Sequence, residues 1–337
     1  MKTPCMTLLA ALCSVAFAEP ERIVLENGAL RAEITPAWGG RLTYLGRHGG
    51  ENALWSDPSA ATNTVDAKGR PVWKNVGGEK TWVGTMGLWK DFKAEGEGGG
   101  NWPPPAWFDS APLDVVRADA TNVLLRSAEH ASGDWTLALE REFTLEGDSL
   151  VLNERLCNVA NVEMLPIANA NAILELETGI GNTGNNGNTH DPLPDDPRRV
   201  WSVTQIPLVD TVRAHLAGEG RSECFLGCPA LSAPDAEGWA ELDLSAAPKN
   251  ARIELDGDAL SADIPGAGRL VIEQTADARH LGAFAKPSRA IVYTTGKDFK
   301  PSKWSGYGPQ GYIELEFTAL GPDAKQTVSF RLSDTTE

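Results

Sequence analysis

The sequence predicts an all-β protein, an antiparallel sandwich or barrel, and three observations carry that expectation. Apolar and polar residues alternate with a period of two through many short segments, so each segment sets one face on a core. Gly, Asp, Asn or Pro bound these segments, and those residues favour tight turns. No long amphipathic helix with capping residues interrupts them; only helical turns near Ala236–Trp239 fit the pattern. Short strands at close spacing with few helices characterise sandwiches and barrels.

In chain order, strands are expected at Ala29–Ile34, Asn122–Ser127, Trp135–Leu145 and Ser149–Cys157. Further strands follow at Arg252–Leu255, Arg269–Gln274, Arg289–Thr294, Tyr312–Thr318 and Thr327–Leu332. Glu146-Gly147-Asp148 and Asp256-Gly257-Asp258 read as hairpin turns, with Gly supplying positive φ. Two segments break this rhythm. Val72–Pro112 is rich in Gly, Pro and Trp, which deny helix and central strand to much of it. Thr178–Arg199 is rich in Asn, Gly and Asp, with Ile180 and Leu193 as apolar anchors, and reads as a surface insertion.

The N-terminus reads as a cleavable secretory signal over residues 1–18. Lys2 is the charged start, Met6–Phe17 the apolar run and Ala16-Phe17-Ala18 the small-residue cleavage site. A periplasmic or secreted location is therefore expected, with residues 19–337 as a single domain. No later segment is long and apolar enough for an integral membrane helix. Cleavage removes Lys2 and no acid, taking the net charge from −16 to −17. So acidic a surface disfavours nucleic acid and anionic lipid. Cys157, Cys224 and Cys228 would remain, too few for a disulfide framework, although Cys224 and Cys228 could close a small loop. No zinc or calcium spacing is present, so neither a metal nor a cofactor is expected.

Seven of the eleven Trp (Trp38, Trp55, Trp73, Trp82, Trp89, Trp102 and Trp107) precede Asp109. Flat rings on polar loops suit a carbohydrate partner, whose C–H face stacks and whose hydroxyls accept and donate hydrogen bonds. They serve equally to plug the end of a sandwich. Two strands carry carboxylates at a spacing of two, Glu175 with Glu177 and Glu314 with Glu316, so each pair shares a face. Ile313, Leu315 and Phe317 then point into the core. Such alternating Glu face solvent by default.

Pro36-Ala37-Trp38-Gly39-Gly40-Arg41-Leu42 and Glu51-Asn52-Ala53-Leu54-Trp55 resemble the opening of the galactose mutarotase-like (aldose 1-epimerase) superfamily. Asn75-Val76-Gly77-Gly78-Glu79-Lys80-Thr81-Trp82 and the run from Trp102 to Asp109 are similar to an uncharacterised, domain-of-unknown-function branch of secreted bacterial proteins. Arg199–Gln205 and Gly311–Pro322 are similar to its later motifs. The resemblance implies an antiparallel β-supersandwich that binds sugar on a concave sheet under long loops. In mutarotases a Glu takes the proton of the C1 hydroxyl while a His protonates the ring oxygen. Glu316 stands where that base would, with Glu314 beside it.

The resemblance does not reach the acid, because the family's His and Tyr-Phe-Asn strand have no counterpart here. Among the five His, His48 and His130 read as solvated loop residues, and His215 and His280 as strand edges. His190, in the Asn/Gly insertion, could close over a sugar and is the candidate acid. Arg41 and Lys80 lie beside Gly in matched motifs and could donate to sugar hydroxyls or a sugar carboxylate. Asn75, Trp82, Trp201 and Gln205 complete the expected lining. A non-catalytic carbohydrate-binding module, and a structural domain whose cleft the Trp/Pro loop closes, are the rival readings.

Overall fold

The computed structural model describes residues 20–57, 73–84, 86–94, 96–97, 100–132, 135–159, 200–216, 222–225, 229–246, 251–276, 289–296, 311–319 and 325–334. The signal segment, Glu175 and Glu177, the Thr178–Arg199 insertion with His190, Cys228 and His280 lie outside them. The first strands are Ile23–Glu26 (β1), Leu30–Thr35 (β2), Arg41–Arg47 (β3), Glu79–Val83 (β4) and Asp114–Ala118 (β5). Asn122–Arg126 (β6), His130–Ser132 (β7), Trp135–Glu146 (β8) and Ser149–Asn158 (β9) follow. Then come Val200–Pro207 (β10), Thr211–Leu216 (β11), Ser222–Phe225 (β12), Ala230–Leu231 (β13) and Trp239–Asp243 (β14). Ala251–Ile264 (β15), Gly268–Ala276 (β16), Arg289–Thr294 (β17), Tyr312–Ala319 (β18) and Lys325–Ser333 (β19) complete the set. One short helix, Ala106–Asp109 (α1), and single 3-10 turns at Pro36–Trp38 and Met86–Leu88 are the helical elements among the described residues.

Antiparallel pairing resolves the strands into two layers. The first runs β1-β2-β3-β4-β10-β18-β17-β15-β12. The second runs β13-β14-β11-β15-β16-β19-β9-β8-β6-β5, with β7 on the start of β8. Strand β15 belongs to both. Its Ala251–Asp256 half pairs with β17, and Ala259–Ile264 pairs with β16. The expected hairpin at Asp256-Gly257-Asp258 is therefore corrected. Gly257 marks the crossing between layers, where an added Cβ would lie 2.6 Å from the His215 carbonyl oxygen. The other expected hairpin holds, with Gly147 at φ 64° between β8 and β9. Around Ala236–Trp239 the chain makes a turn and enters β14.

Period-two alternation builds the core between the layers. Ile206, Ile253, Leu255, Val292, Ile313, Leu315 and Phe317 from the first layer meet Phe143, Leu152, Leu260, Ile272, Val328 and Phe330 from the second. A second cluster of Trp82, Trp89, Phe92, Trp107, Phe108, Leu139 and Trp201 packs the Trp-rich segment against the sheets. That segment is not wholly a loop, because Glu79–Val83 forms a fully buried strand inside it. Gly77 and Gly78, at φ 84° and 75°, turn the chain into that strand against the backbones of Trp55 and Leu42, where a side chain would collide.

A polar network ties the two layers together. Glu79, Arg141 and Glu154 are each 0% exposed. Arg141 donates to Glu79 and to the Gly40 carbonyl at 2.5 Å, with its Nε 3.6 Å from Glu154. Thr81 and Gln326 donate to Glu154, Gln274 donates to Gln326 at 3.0 Å, and Ser202 donates to Glu79 at 3.3 Å. Burial raises the carboxyls of both Glu79 and Glu154, the second also through the charge of the first, to about 8. One guanidinium thus neutralises one carboxylate, and the other stays protonated near neutral pH.

A raised folded-state pKa means that the native state holds a proton the unfolded chain releases. Glu154 therefore stabilises the fold fully below about 4.5 and loses that contribution as pH rises toward about 8. Glu154→Gln is expected to gain stability relative to the wild type as pH rises from 5 to 8.5, by on the order of 1–3 kcal/mol. Urea unfolding followed by circular dichroism across that range measures it; a difference that does not change with pH excludes the shared proton.

Candidate functional site

The outer face of the first layer carries the polar residues that alternate with its core. Register sets Lys80 on β4, Val203 on β10, Glu316 on β18, Ile291 on β17 and Glu254 on β15 in one row. The next row on that face holds Gln205, Glu314, Tyr293 and Arg252, and Trp82 stands opposite Trp201 on its other side. Lys80 and Glu316 are separated by Val203 alone, so their backbones lie roughly 10 Å apart, two strand spacings.

The geometry is tight and dry. Gln205 Nε2 donates to Glu314 Oε1 at 2.6 Å, and Lys80 Nζ lies 3.9 Å from the same oxygen. Arg252 Nη2 lies 3.4 Å from Glu254 Oε1 and 3.7 Å from Glu316 Oε2. Aromatic walls flank the cations: Lys80 Nζ sits 4.4 Å from the Trp82 ring centre and 5.9 Å from that of Trp73, and Arg252 5.9 Å from Trp201. Glu316 is 1% exposed and Lys80 1%, so the default expectation of solvent-facing Glu does not hold. Glu316 Oε2 and Gln205 Oε1 are buried with no hydrogen-bond partner among the described residues.

Desolvation dominates the titration of this face. It pushes Glu316 up to about 7, helped by Glu314 and Glu254 and opposed by Arg252 and Lys80. It pulls Lys80 below the ordinary lysine range, against the charges of Glu314, Asp109 and Glu316, while Arg41 adds to the depression. A carboxyl poised near neutrality can take or give a proton at physiological pH.

Asp109, at the end of α1, anchors the edge of the site. Its Oδ1 accepts from Arg41 Nη2 at 3.1 Å and from Trp82 Nε1 at 3.1 Å, and its Oδ2 from Trp73 Nε1 at 2.9 Å. Arg41 also donates to the carbonyls of Gly77, at 3.0 Å, and Asp109, at 3.2 Å, so its guanidinium is engaged in holding the Gly77 turn and α1. Asn75 accepts from Gly77 N at 3.3 Å, and its buried Nδ2 has no partner among the described residues. Trp201 Nε1 donates to the Gly84 carbonyl at 2.8 Å. Among the described residues no His, Cys, Asp and Glu group of three or more is arranged to hold a metal ion. A surface groove of about 530 Å3, walled by Arg47, Asp263, Gly266 and Asp334 among others, shares no residue with this face.

No protein-family model matches the chain, and no curated protein matches it. Solved structures do. The Slr1438 protein from Synechocystis sp. PCC 6803 is similar at a TM-score of 0.51 and 13% identity, over 95% of this chain and 98% of that one. The likeness is one of fold. A putative aldose 1-epimerase from Escherichia coli K12 matches at a TM-score of 0.49 and 14% identity, over 93% and 99% of the two chains. A galactose mutarotase-like protein from Lactobacillus casei ATCC 334 matches at 0.49 and 10%, over 93% and 100%.

Of the residues singled out from sequence, Lys80, Trp82, Trp201, Gln205, Glu314 and Glu316 share one face, Arg41 and Asn75 support its edge, and His190 lies outside the described residues. Arg252, Glu254, Tyr293 and Asp109 were not anticipated. Ala251-Arg252-Ile253-Glu254-Leu255 has the same alternation that exposed Glu314 and Glu316, so the first two were legible. Asp109 was not, because its partners are 27 to 68 residues away. His130 also departs from expectation: it opens β7 and stacks on Trp107 at 4.9 Å, and burial lowers its pKa.

Asp109→Ala leaves a buried guanidinium uncompensated and two indole N–H groups without their acceptor. A loss of about 3–5 kcal/mol is expected, read by urea unfolding, with a red shift of tryptophan emission. Asp109→Asn, which keeps an acceptor but not the charge, should lose less; equal losses would remove the hydrogen-bond acceptor from the explanation and leave the charge alone.

Proposed function

We propose that the outer face of the first layer binds a carbohydrate and interconverts the anomers of an aldose, with Glu316 as the base. One observation carries this reading. Polar atoms buried without a hydrogen-bond partner among the described residues, Glu316 Oε2 and Gln205 Oε1, share the sheet face that carries Trp82 and Trp201. Unsatisfied buried groups are costly, and a polyhydroxylated ring supplies hydrogen bonds to them while its C–H face covers indole. Glu316, pushed up to about 7, suits proton transfer to and from a sugar hydroxyl. The sequence resemblance to mutarotases adds the reaction class, and the reading of residues 1–18 as a signal supports action outside the cytoplasm.

A non-catalytic carbohydrate-binding module is the second reading, favoured by the absence, among the described residues, of a histidine on this face. His48 pairs with Glu26, His130 stacks on Trp107 and His215 pairs with Asp258.

A screen of free sugars and glycans by tryptophan fluorescence, followed by anomer-resolved NMR exchange on the hits, tests both readings. Trp82→Ala is expected to abolish binding. Glu316→Gln should slow exchange about 100-fold or more while binding persists. Because the base must be ionised, kcat/KM should rise with pH through about 7. Binding without exchange selects the module; no binding across neutral and acidic glycans rejects both.

A further inference from the structure

We propose that Lys80 is the proton donor that works opposite Glu316, in the role the sequence resemblance gives to a histidine. The inference rests on the sugar-processing reading above and names a further catalytic residue for it.

Among the described residues, register places Lys80, Arg252 and Arg289 on the face of Glu316, with Arg41 at its edge. None of the arginines can serve, because a guanidinium keeps its proton throughout the physiological range. Lysine can. Lys80 Nζ makes no hydrogen bond among the described residues, and its nearest carboxylate oxygen, Glu314 Oε1, stands at 3.9 Å. Trp82 and Trp73 wall the ammonium on its ring-facing sides. Its proton is thus not committed to a protein acceptor, and Glu314 is placed to steer it.

The groups that act on Lys80 are Glu314 and Glu316 on β18, Asp109 on α1 and Arg41 on β3. Burial outweighs the carboxylates and draws the ammonium below its ordinary range, while it draws Glu316 upward. The two groups converge from opposite directions. Shifts in these directions lower the cost of passing a proton in through one group and out through the other.

The step balances without a co-reactant. The Glu316 carboxylate takes the proton of the C1 hydroxyl, and the released O–H pair forms the C1 carbonyl. The bond from C1 to the ring oxygen breaks, and its electron pair takes a proton from the Lys80 ammonium. The open-chain aldose, a carboxylic acid and a neutral amine result. After rotation about C1–C2 the ring oxygen attacks the other carbonyl face, and both protons return to their owners.

Two measurements test this. In protein labelled at lysine 13Cε, one resonance, absent from Lys80→Arg and Lys80→Met, should titrate well below the ordinary lysine value of about 10.4. In anomer-exchange NMR, kcat of the wild type should be bell-shaped in pH. Lys80→Arg should lose about 100-fold or more in kcat, and the high-pH limb, with KM within about threefold. The wild-type titration and pH profile stand even if a Lys80 variant does not fold. An ordinary titration for every lysine, or an arginine variant with kcat near wild type, overturns the inference. Loss of kcat in His190→Ala with Lys80→Arg unaffected overturns it in favour of the insertion. Each of these leaves sugar binding intact, whereas failure of every sugar to bind removes the underlying reading as well.

Discussion

Strand β4 is held by a charge pair that its own sequence places on the wrong side for water. Glu79 and Lys80 are adjacent, so the pleat points them to opposite faces of the first layer. Glu79 meets Arg141 between the layers, and Lys80 enters the outer face among tryptophans. Neither position is wet, and both depend on the same backbone. Withdrawing Glu79 from Arg141 would strand a buried guanidinium, which is far costlier than never having buried the pair. The inter-layer network therefore fixes the register in which Lys80, Val203 and Glu316 line up.

Buried arginines also join the support to the face. Arg41 and Arg141 flank the Gly39-Gly40 turn from both sides, one donating to Gly77 and Asp109, the other to Gly40. Asp109 carries that order outward to the indoles of Trp73 and Trp82. The tryptophan-rich segment need not be either plug or site. Trp89 is 2% exposed and Trp107 9%, and these pack, while Trp102, at 36%, lies against Trp73, Trp82 and Trp89 from the solvent side. Packed rings hold the others still, and rigid aromatic walls lose little entropy on meeting a ligand.

What could be read from the sequence was whatever period two controls. The strands Arg289–Thr294 and Tyr312–Thr318, the Gly147 hairpin and the shared face of Glu314 and Glu316 all follow from alternation and turn chemistry. Gly257 misled for a physical reason: the residue that closes a turn also permits a strand to cross between layers, and nearby residues do not distinguish the two. Strand β4 was obscured by its Gly-rich approach and by Lys80 and Glu79, which look solvated in one dimension and are buried by partners far along the chain. Glu314 and Glu316 looked solvated for the same reason. Burial of charge is a property of the assembled layers, not of a local window.

Charge on the outer face is balanced largely within itself. In the two rows that hold Lys80 and Arg252, Lys80 faces Glu314, and Arg252 lies between Glu254 and Glu316, three carboxylates to two cations. With Glu316 pushed up to about 7, that surplus is partly discharged by protonation rather than by a counter-ion. Among the described residues, the atoms of these two rows that are buried without a hydrogen-bond partner are an amide oxygen and a carboxyl oxygen, both of which can accept from hydroxyl donors. The low dielectric that makes those atoms costly to leave unpaired is also what brings Lys80 and Glu316 toward a common pKa. The upward shift of Glu316 and the downward shift of Lys80 thus draw on one cause, desolvation on a buried face walled by tryptophan.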